Sequence, residues 1–429
     1  MTLGMDGGEG ADPVELVEAA GRLARECSPQ MGSLSTLAKN DALHDIATAL
    51  VDHADSILAA NERDVEAAYA AHQSEALVDR LTLNRSRLGK LAEGVREVAA
   101  FADPVGEVLR GSRRPNGLWI KEVRVPIGVV GVVYESRPDV MVDAISLCLK
   151  SGNAVILLGG ADVRNSTAAV FEVIRQTLDR QGIPRGAVQC LQTDDPAALD
   201  RFMRLTRYID VLIPRGSNEL IRRVCDTATI PTIETGAGNC HLFIEKTASL
   251  EMACDIALNA KLNRPGAVNA IETLLVDEPI AADLLPLITA RLQAADVDVR
   301  GCERTCALAP SIHPATDEDF QVAYQDLTLA VRVVNGVDEA IRHIARYGTH
   351  LAEGIVTQDY SSARRFCQRV DAAAVLVNAS TRFMDGYELG LGAELGISTQ
   401  KLHRRGPIGI RALTTWKWVV QGDGQVRED

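Results

Sequence analysis

NAVILLGGADVRNSTAAVFEVIRQTLDRQGIPRGAVQCL, residues 153–191, carries two short apolar runs, NAVILL (153–158) and VQCL (188–191), with a helical pattern around 165–180 between them. Short, fully apolar strands separated by helices mark βαβ units, in which a parallel sheet is covered on both faces. The same texture extends outward in both directions. GVVGVVY (128–134) lies upstream; YIDVLI (208–213) and CHLFIE (240–245) lie downstream, with further helix candidates around 196–206 and 217–226. A second series follows: AIETLLVD (270–277), LAVRVV (329–334), EGIVTQ (353–358) and AAVLVN (373–378). The pattern predicts an α/β fold of two parallel-sheet domains, divided near Glu245 to Ser249.

Before Trp119 the chain reads differently. From Leu34 to about His72, Leu43, Ile46, Ala47 and Leu50 follow the spacing of one apolar helix face. A second helix is predicted from Ser86 to Ala100, stopped by Asp103-Pro104. Residues 1–12 read as a frayed tail, and Ser112-Arg113-Arg114 as a solvated hairpin tip. LTTWKWVVQGDG (413–424) reads as an isolated strand belonging to neither sheet, a type of strand that often pairs with another subunit.

Composition narrows the function classes. With 429 residues, two or three domains are expected. Apolar residues make up 46% and charged residues 24%, which excludes a disordered or fibrous chain. The net charge of −13 argues against nucleic acid, whose binders displace counterions with basic surfaces. No apolar run approaches the ~20 residues that span a bilayer, and Met1 to Pro13 shows neither a positive n-region nor an apolar h-region. A cytoplasmic protein with no membrane partner is expected. The nine scattered cysteines suit reduced thiols. Cys302 and Cys306 form a C-x3-C pair with no second pair or nearby His to complete a zinc site, so no metal is expected.

A G-x-G-x-x-G fingerprint and a P-loop are both absent. Four other segments stand out. Tyr134-Glu135-Ser136-Arg137-Pro138 follows an apolar strand, where open α/β sheets place ligands; polar turns after strands are also common without any function. Ile213-Pro214-Arg215-Gly216-Ser217 leads a strand into a helix whose free N–H groups suit an anion, or simply a cap. Ile233-Glu234-Thr235-Gly236-Ala237-Gly238-Asn239-Cys240-His241 fits a cofactor-facing bend or a structural turn. Asn378-Ala379-Ser380-Thr381-Arg382, followed by Gly386, Gly390, Gly392 and Gly396, fits a mobile loop against a ligand or a plain connection.

Together with NAKLNRPGAVNAIETLLV, VNASTRFMDG and GAELGISTQKLHRRGPIGIRALTTWKWVV, these segments closely resemble the γ-glutamyl phosphate reductase family of the aldehyde dehydrogenase superfamily, from about Leu34 to the C-terminus. The resemblance implies an aldehyde-dehydrogenase-like fold with three parts. Residues 13–110 and 126–245 would bind the cofactor, 246–407 would be catalytic, and 111–125 with 408–429 would form a β-arm for oligomerisation. It implies NADP(H) as cofactor, met by Leu158, Gly159, Gly160, Pro214, Arg215, Gly216, Ser217 and Gly236, with Glu234 near the nicotinamide. Ser136 and Arg137 would border the reacting carbonyl or phosphate; Arg264, Asn378, Ser380, Thr381 and Arg382 would line the substrate side. The implied activity interconverts L-glutamyl 5-phosphate and glutamate-5-semialdehyde in proline biosynthesis, in a homodimer or tetramer, with a glutamate kinase as a further partner.

Three positions depart from the family. Its nucleophilic cysteine falls on Val268, next to Asn269, and valine cannot form a thioester. The cation of an ILRGG run is Leu158, and the family histidine of a G-H-T-E-type turn falls on Leu351, with His350 beside it. Neither Cys240 nor Cys254 obviously replaces the missing thiol. Three changes on an otherwise intact scaffold favour a natural paralogue with altered chemistry. It would reduce an aldehyde or imine without a covalent step, or be a non-redox protein that passes an acyl phosphate to an amine or serves only as a binding scaffold.

Overall fold

The computed structural model describes residues 12–236 and 238–427. The chain divides into two compact units, Met1–Thr235 with Leu391–Gly396 and Ile408–Asp429, and Gly236–Gly390 with Ile397–Pro407.

The first unit opens with helices α1 (Pro13–Ser33), α2 (Thr36–Asp52), α3 (Ala54–Ala70), α4 (Glu75–Leu81) and α5 (Arg85–Ala100). Asp12 caps α1 by accepting from the Val14 N–H at 3.0 Å, and Ser35 caps α2 through Ala38 at 3.2 Å. Leu43, Ile46, Ala47 and Leu50 are fully buried, so the periodic face of α2 is the one that packs. Strands β1 (Val108–Arg113) and β2 (Trp119–Pro126) form a hairpin, after which β3 (Val129–Tyr134), α6 (Asp139–Lys150), β4 (Ala154–Gly159), α7 (Arg164–Arg180), β5 (Val188–Gln192), α8 (Pro196–Phe202), β6 (Val211–Arg215) and α9 (Asn218–Thr227) alternate. The four strands β3 to β6 make a parallel sheet in the order β5-β4-β3-β6. Every residue of β3 and β4 is buried, as a doubly covered parallel sheet requires.

The second unit contains β7 (Cys240–Ile244), α10 (Leu250–Leu262), β8 (Ile271–Asp277), α11 (Glu278–Gln293), β9 (Asp298–Gly301), α12 (Glu303–Leu308), β10 (His313–Pro314), β11 (Thr328–Val334), α13 (Gly336–Tyr347), β12 (Ala352–Val356), α14 (Tyr360–Arg369) and β13 (Ala374–Val377). These seven strands form one parallel sheet, β10-β9-β11-β8-β7-β12-β13. Side chains alternate across it: Leu242 and Ile244 pack with α10 and α11, whereas Phe243 packs with α13 and α14. The short pair β14 (Ile397–Ser398) and β15 (Gly406–Pro407) is antiparallel.

Three expectations change. The division lies at Thr235/Gly236 and not near 245–249, because β7 pairs with β8 and β12 and so belongs to the second sheet. The C-terminal strand is not isolated: β16 (Thr414–Gln421) pairs along its whole length with β2, giving an antiparallel sheet β1-β2-β16 in the first unit. Helix α1 had no counterpart in the sequence reading. The tail expected over residues 1–12 lies, except for Asp12, outside the described residues. Among the described residues no helix is long and apolar enough to cross a membrane.

Candidate active-site residues in the two units

In the first unit the expected residues gather at the carboxyl ends of β3, β4 and β6. Beyond Tyr134, Ser136 sits in the left-handed region at φ 55° and donates its hydroxyl to the Asp162 carboxylate. Such a conformation in a non-glycine residue persists only where its surroundings hold it. At the end of β6, Ser217 caps α9 by accepting from the Leu220 N–H at 3.2 Å. Its own N–H and hydroxyl donate to Glu135 Oε2 at 3.2 and 3.0 Å. A Cβ on Gly216 would lie 2.8 Å from the same oxygen, so only glycine lets the carboxylate approach. The donors expected to meet cofactor phosphates therefore already hold an anion, and this donor set fits an anionic cofactor group. Pro214 is fixed through its carbonyl, which accepts from Thr235 Oγ1 at 2.6 Å. Gly160 donates its N–H to the Tyr134 carbonyl at 3.1 Å, and a Cβ on Gly159 would meet the Tyr134 ring at 2.8 Å.

Arg137 and Arg215 belong to a charged group with Asp139 and Asp143. Burial first, then Asp139, push the Asp143 carboxyl up to about 7 against the pull of Arg215 and Arg137. Burial, then Arg137, lower the Arg215 guanidinium. Asp143 and Asp162 were not singled out from the sequence, and Glu135 only as part of the segment after β3; the i, i+4 spacing of Asp139 and Asp143 just after Arg137-Pro138 was the available signal. Glu234 lies close enough to Cys225 to help burial push that thiol up to about 11. Leu158 is buried in the apolar core of the first unit, at the end of β4.

In the second unit the loop between α10 and β8 carries Arg264, Val268 and Asn269. Its carbonyls fold back locally, with Ala267 N donating to Arg264 O and Ala270 N to Ala267 O, each at 3.0 Å. The Val268 carbonyl lies over Gly238, where a Cβ would be 1.8 Å from it, and accepts from the Cys240 thiol at 3.4 Å. The Val268 side chain packs on an apolar cluster of Cys240, Leu351, Ala352, Met384 and Ile397. The same absent Cβ of Gly238 would be 2.5 Å from Leu351 Cδ2. Two of the three departures thus share one apolar cluster. At φ 64° the ring of His350 turns to the Asp371 carbonyl, with Nδ1 at 2.7 Å.

Asn269 is buried, and its Nδ2 donates to the carbonyls of Met384 at 2.9 Å and Arg382 at 3.5 Å, binding the Val268 loop to the 380–384 turn. Ser380 caps that turn by accepting from the Arg382 N–H at 3.3 Å. Thr381 is fully buried. Arg382 donates from Nε to Asn263 Oδ1 at 3.2 Å. Asn378 lies just beyond β13. At φ 54° it donates to the Thr357 carbonyl at 2.9 Å and accepts from the Thr357 N–H at 2.8 Å, so both ends of its amide extend β12. The later glycines also pack: a Cβ on Gly392 would strike the Phe101 ring at 1.9 Å.

No thiol here replaces a nucleophile at 268. Cys240 is fully buried, and burial, then Glu353, push it well above the usual range; burial also raises Cys254. Cys302, where hydrogen bonds from Thr305 and nearby N–H groups outweigh burial and lower the thiol, caps α12. Among the described residues no group of three or more His, Cys, Asp or Glu side chains could hold a metal ion. Gly236 opens the second unit, and Ala237 lies outside the described residues.

Residues 11–329 match the model of the aldehyde dehydrogenase family. The γ-glutamyl phosphate reductase of Caldanaerobacter subterraneus subsp. tengcongensis is 50% identical over 412 residues, 96% of this chain and all of that one. That of Carboxydothermus hydrogenoformans is 54% identical over 404 residues, 94% of this chain and 97% of that one. The crystal structure of γ-glutamyl phosphate reductase from Thermotoga maritima is similar with a TM-score of 0.94 at 46% identity, covering 96% of this chain and all of that one.

Proposed function

Since the chain belongs to the aldehyde dehydrogenase family, among its γ-glutamyl phosphate reductases, we propose that it interconverts L-glutamyl 5-phosphate and glutamate-5-semialdehyde with NADP(H), without a thioester. Near-complete coverage of relatives bearing that name supports the substrate pair and a place in proline biosynthesis. The observation that carries the missing thioester is the apolar cluster in which Val268 and Leu351 pack together. A nicotinamide supplies hydride when bound. The chain's own part is then to hold reactants in line and stabilise charge, which needs no nucleophile. The α9 start, where Gly216 and Ser217 hold a carboxylate, would seat the cofactor's anionic end. In this reading the first unit holds cofactor, the second holds substrate, and the β1-β2-β16 sheet joins copies of the chain as a dimer or tetramer in the cytoplasm.

The test is NADP+ reduction by glutamate-5-semialdehyde and phosphate, comparing the native chain with Val268→Cys. The native chain is expected to turn over with no acyl adduct on its intact mass. Val268→Cys is expected to be faster and to acquire the adduct. A native rate at background would remove the redox reading. The alternative would then be transfer of the acyl phosphate to an amine, or a binding role beside a glutamate kinase.

A further inference from the structure

Position 268 is framed by two segments of the second unit, and each brings an arginine. Arg264 follows Asn263, the C-cap of α10. Arg382, in the Thr381–Phe383 turn, donates from Nε to Asn263 Oδ1 at 3.2 Å, which draws its guanidinium to the foot of α10 beside Arg264. Asn269 fastens the two segments through the carbonyls of Met384 and Arg382.

Several other arginines of the second unit meet carboxylates: Arg300 pairs with Asp298 and Asp319, and Arg405 with Asp371. Among the described residues, neither Arg264 nor Arg382 is in an ion pair. The acid acting on Arg382 is Asp385, whose Oδ1 already accepts from the Tyr387 N–H at 2.9 Å. Burial and then Arg264 lower the Arg382 guanidinium, as expected where two like charges are held together. The C-terminal dipole of α10 favours a cation at its foot, but it amounts to about half a charge and does not balance two. The Arg382 turn also carries an unmet polar group. Thr381 Oγ1 is buried with no hydrogen-bond partner, a costly state that a ligand oxygen would relieve.

We propose that Arg264 and Arg382 together seat a phosphate dianion, either the phosphoryl group of an acyl phosphate or inorganic phosphate. Two planar forks of N–H donors suit an anion of charge near −2 with several acceptor oxygens. A single carboxylate would fill one fork and leave the second charge uncompensated. The inference rests on the acyl-phosphate reading above and deepens it, because it assigns these arginines to the phosphate end of the substrate and not to its amino-acid end.

The test is calorimetry on the full native chain with inorganic phosphate, acetyl phosphate and L-glutamate as separate probes. Arg264→Gln and Arg382→Gln are each expected to weaken phosphate binding about tenfold or more, the cost of one charged hydrogen-bonding partner, with glutamate affinity unchanged. Arg264→Lys and Arg382→Lys keep the charge but lose the fork. They are expected to fall between native and Gln variants, and they serve as the test if the Gln variants do not fold. Displacement of bound phosphate by acetyl phosphate assigns the seat to the acyl-linked group; its failure assigns the seat to the free ion. The proposal is overturned if phosphate binds the double Gln variant as it binds the native chain, if native chain that binds NADPH takes no phosphate, or if glutamate alone loses affinity. Arginine-dependent phosphate binding with no semialdehyde-dependent NADP+ reduction would sink the redox reading and leave the seat standing.

Discussion

A single backbone oxygen organises the neighbourhood of position 268. The Val268 carbonyl lies where a side chain on Gly238 would begin, so Gly238→Ala must push the loop or β7's approach apart. We expect a loss of about 3 kcal/mol, the upper range for overpacking, read from urea unfolding. Because Leu351 lines the same point, a Leu351→Ala background should recover only part of that loss. The valine itself was legible in the sequence, since its flanks match a family segment without a gap. Its partnership with Leu351 was not, because residues 238, 268 and 351 come from three separate segments that only the sheet assembles. Leu158, at the end of β4, belongs to the core of the first unit, as its place in an unbroken apolar run implies.

At the scale of elements, buried charge reveals where the second unit is braced. Lys261 on α10 and Glu272 on β8 are both fully buried and meet at 2.8 Å, and Glu272 Oε1 also accepts from the Gln325 N–H at 3.1 Å. Lys261→Met leaves that carboxylate without its cation and should cost about 3–5 kcal/mol, measured by chemical denaturation. Lys261→Met combined with Glu272→Leu should recover much of it. A second anchor lies at Asp371, which holds Lys401 and Arg405 of the loop between β14 and β15 at 2.6 and 2.7 Å. Hydrogen bonds from Lys401, then Arg405, lower this carboxyl to about 2. A depressed carboxyl stabilises the fold above its unfolded pKa of about 4. That contribution is lost as pH falls towards about 2. Pepsin cleavage at exposed Leu402 should therefore rise as pH drops through this window, and Asp371→Asn should be cleaved readily throughout. Most strands were legible because doubly covered strands are unbroken apolar runs. Helix α1 was not. It contains Gly21 and Pro29, and its stability comes from packing of Val17, Ala20, Ala24 and Met31, which local propensity does not report.

For the molecule as a whole, the sheet β1-β2-β16 presents Trp416, Trp418 and Val420 at alternate positions of an edge strand, all exposed. Arg110 lies over the Trp418 ring at 5.2 Å. Alternation places these three side chains on one face, and a face of this kind is suited to cover by a second copy. Trp416→Glu with Trp418→Glu is expected to lower the assembled mass in light scattering while leaving the far-UV signal intact; an unchanged mass would remove this sheet from the interface. The sequence placed the division between units ten residues late, because CHLFIE reads as a buried parallel strand in either sheet. Only its register, Glu353 against His241 and His241 against Thr273, assigns it to the second.

The interleaving of the two units also bears on how the chain is made. Strand β16 (Thr414–Gln421) completes a sheet that β1 and β2 began some three hundred residues earlier. Throughout elongation the outer edge of β2 waits without its partner, and an open strand edge is a template for pairing with other chains. Synthesis of this protein therefore carries a window of vulnerability that closes only once β16 has been made. Truncated or stalled products, lacking the final strand, should be the species that a cell's chaperones hold.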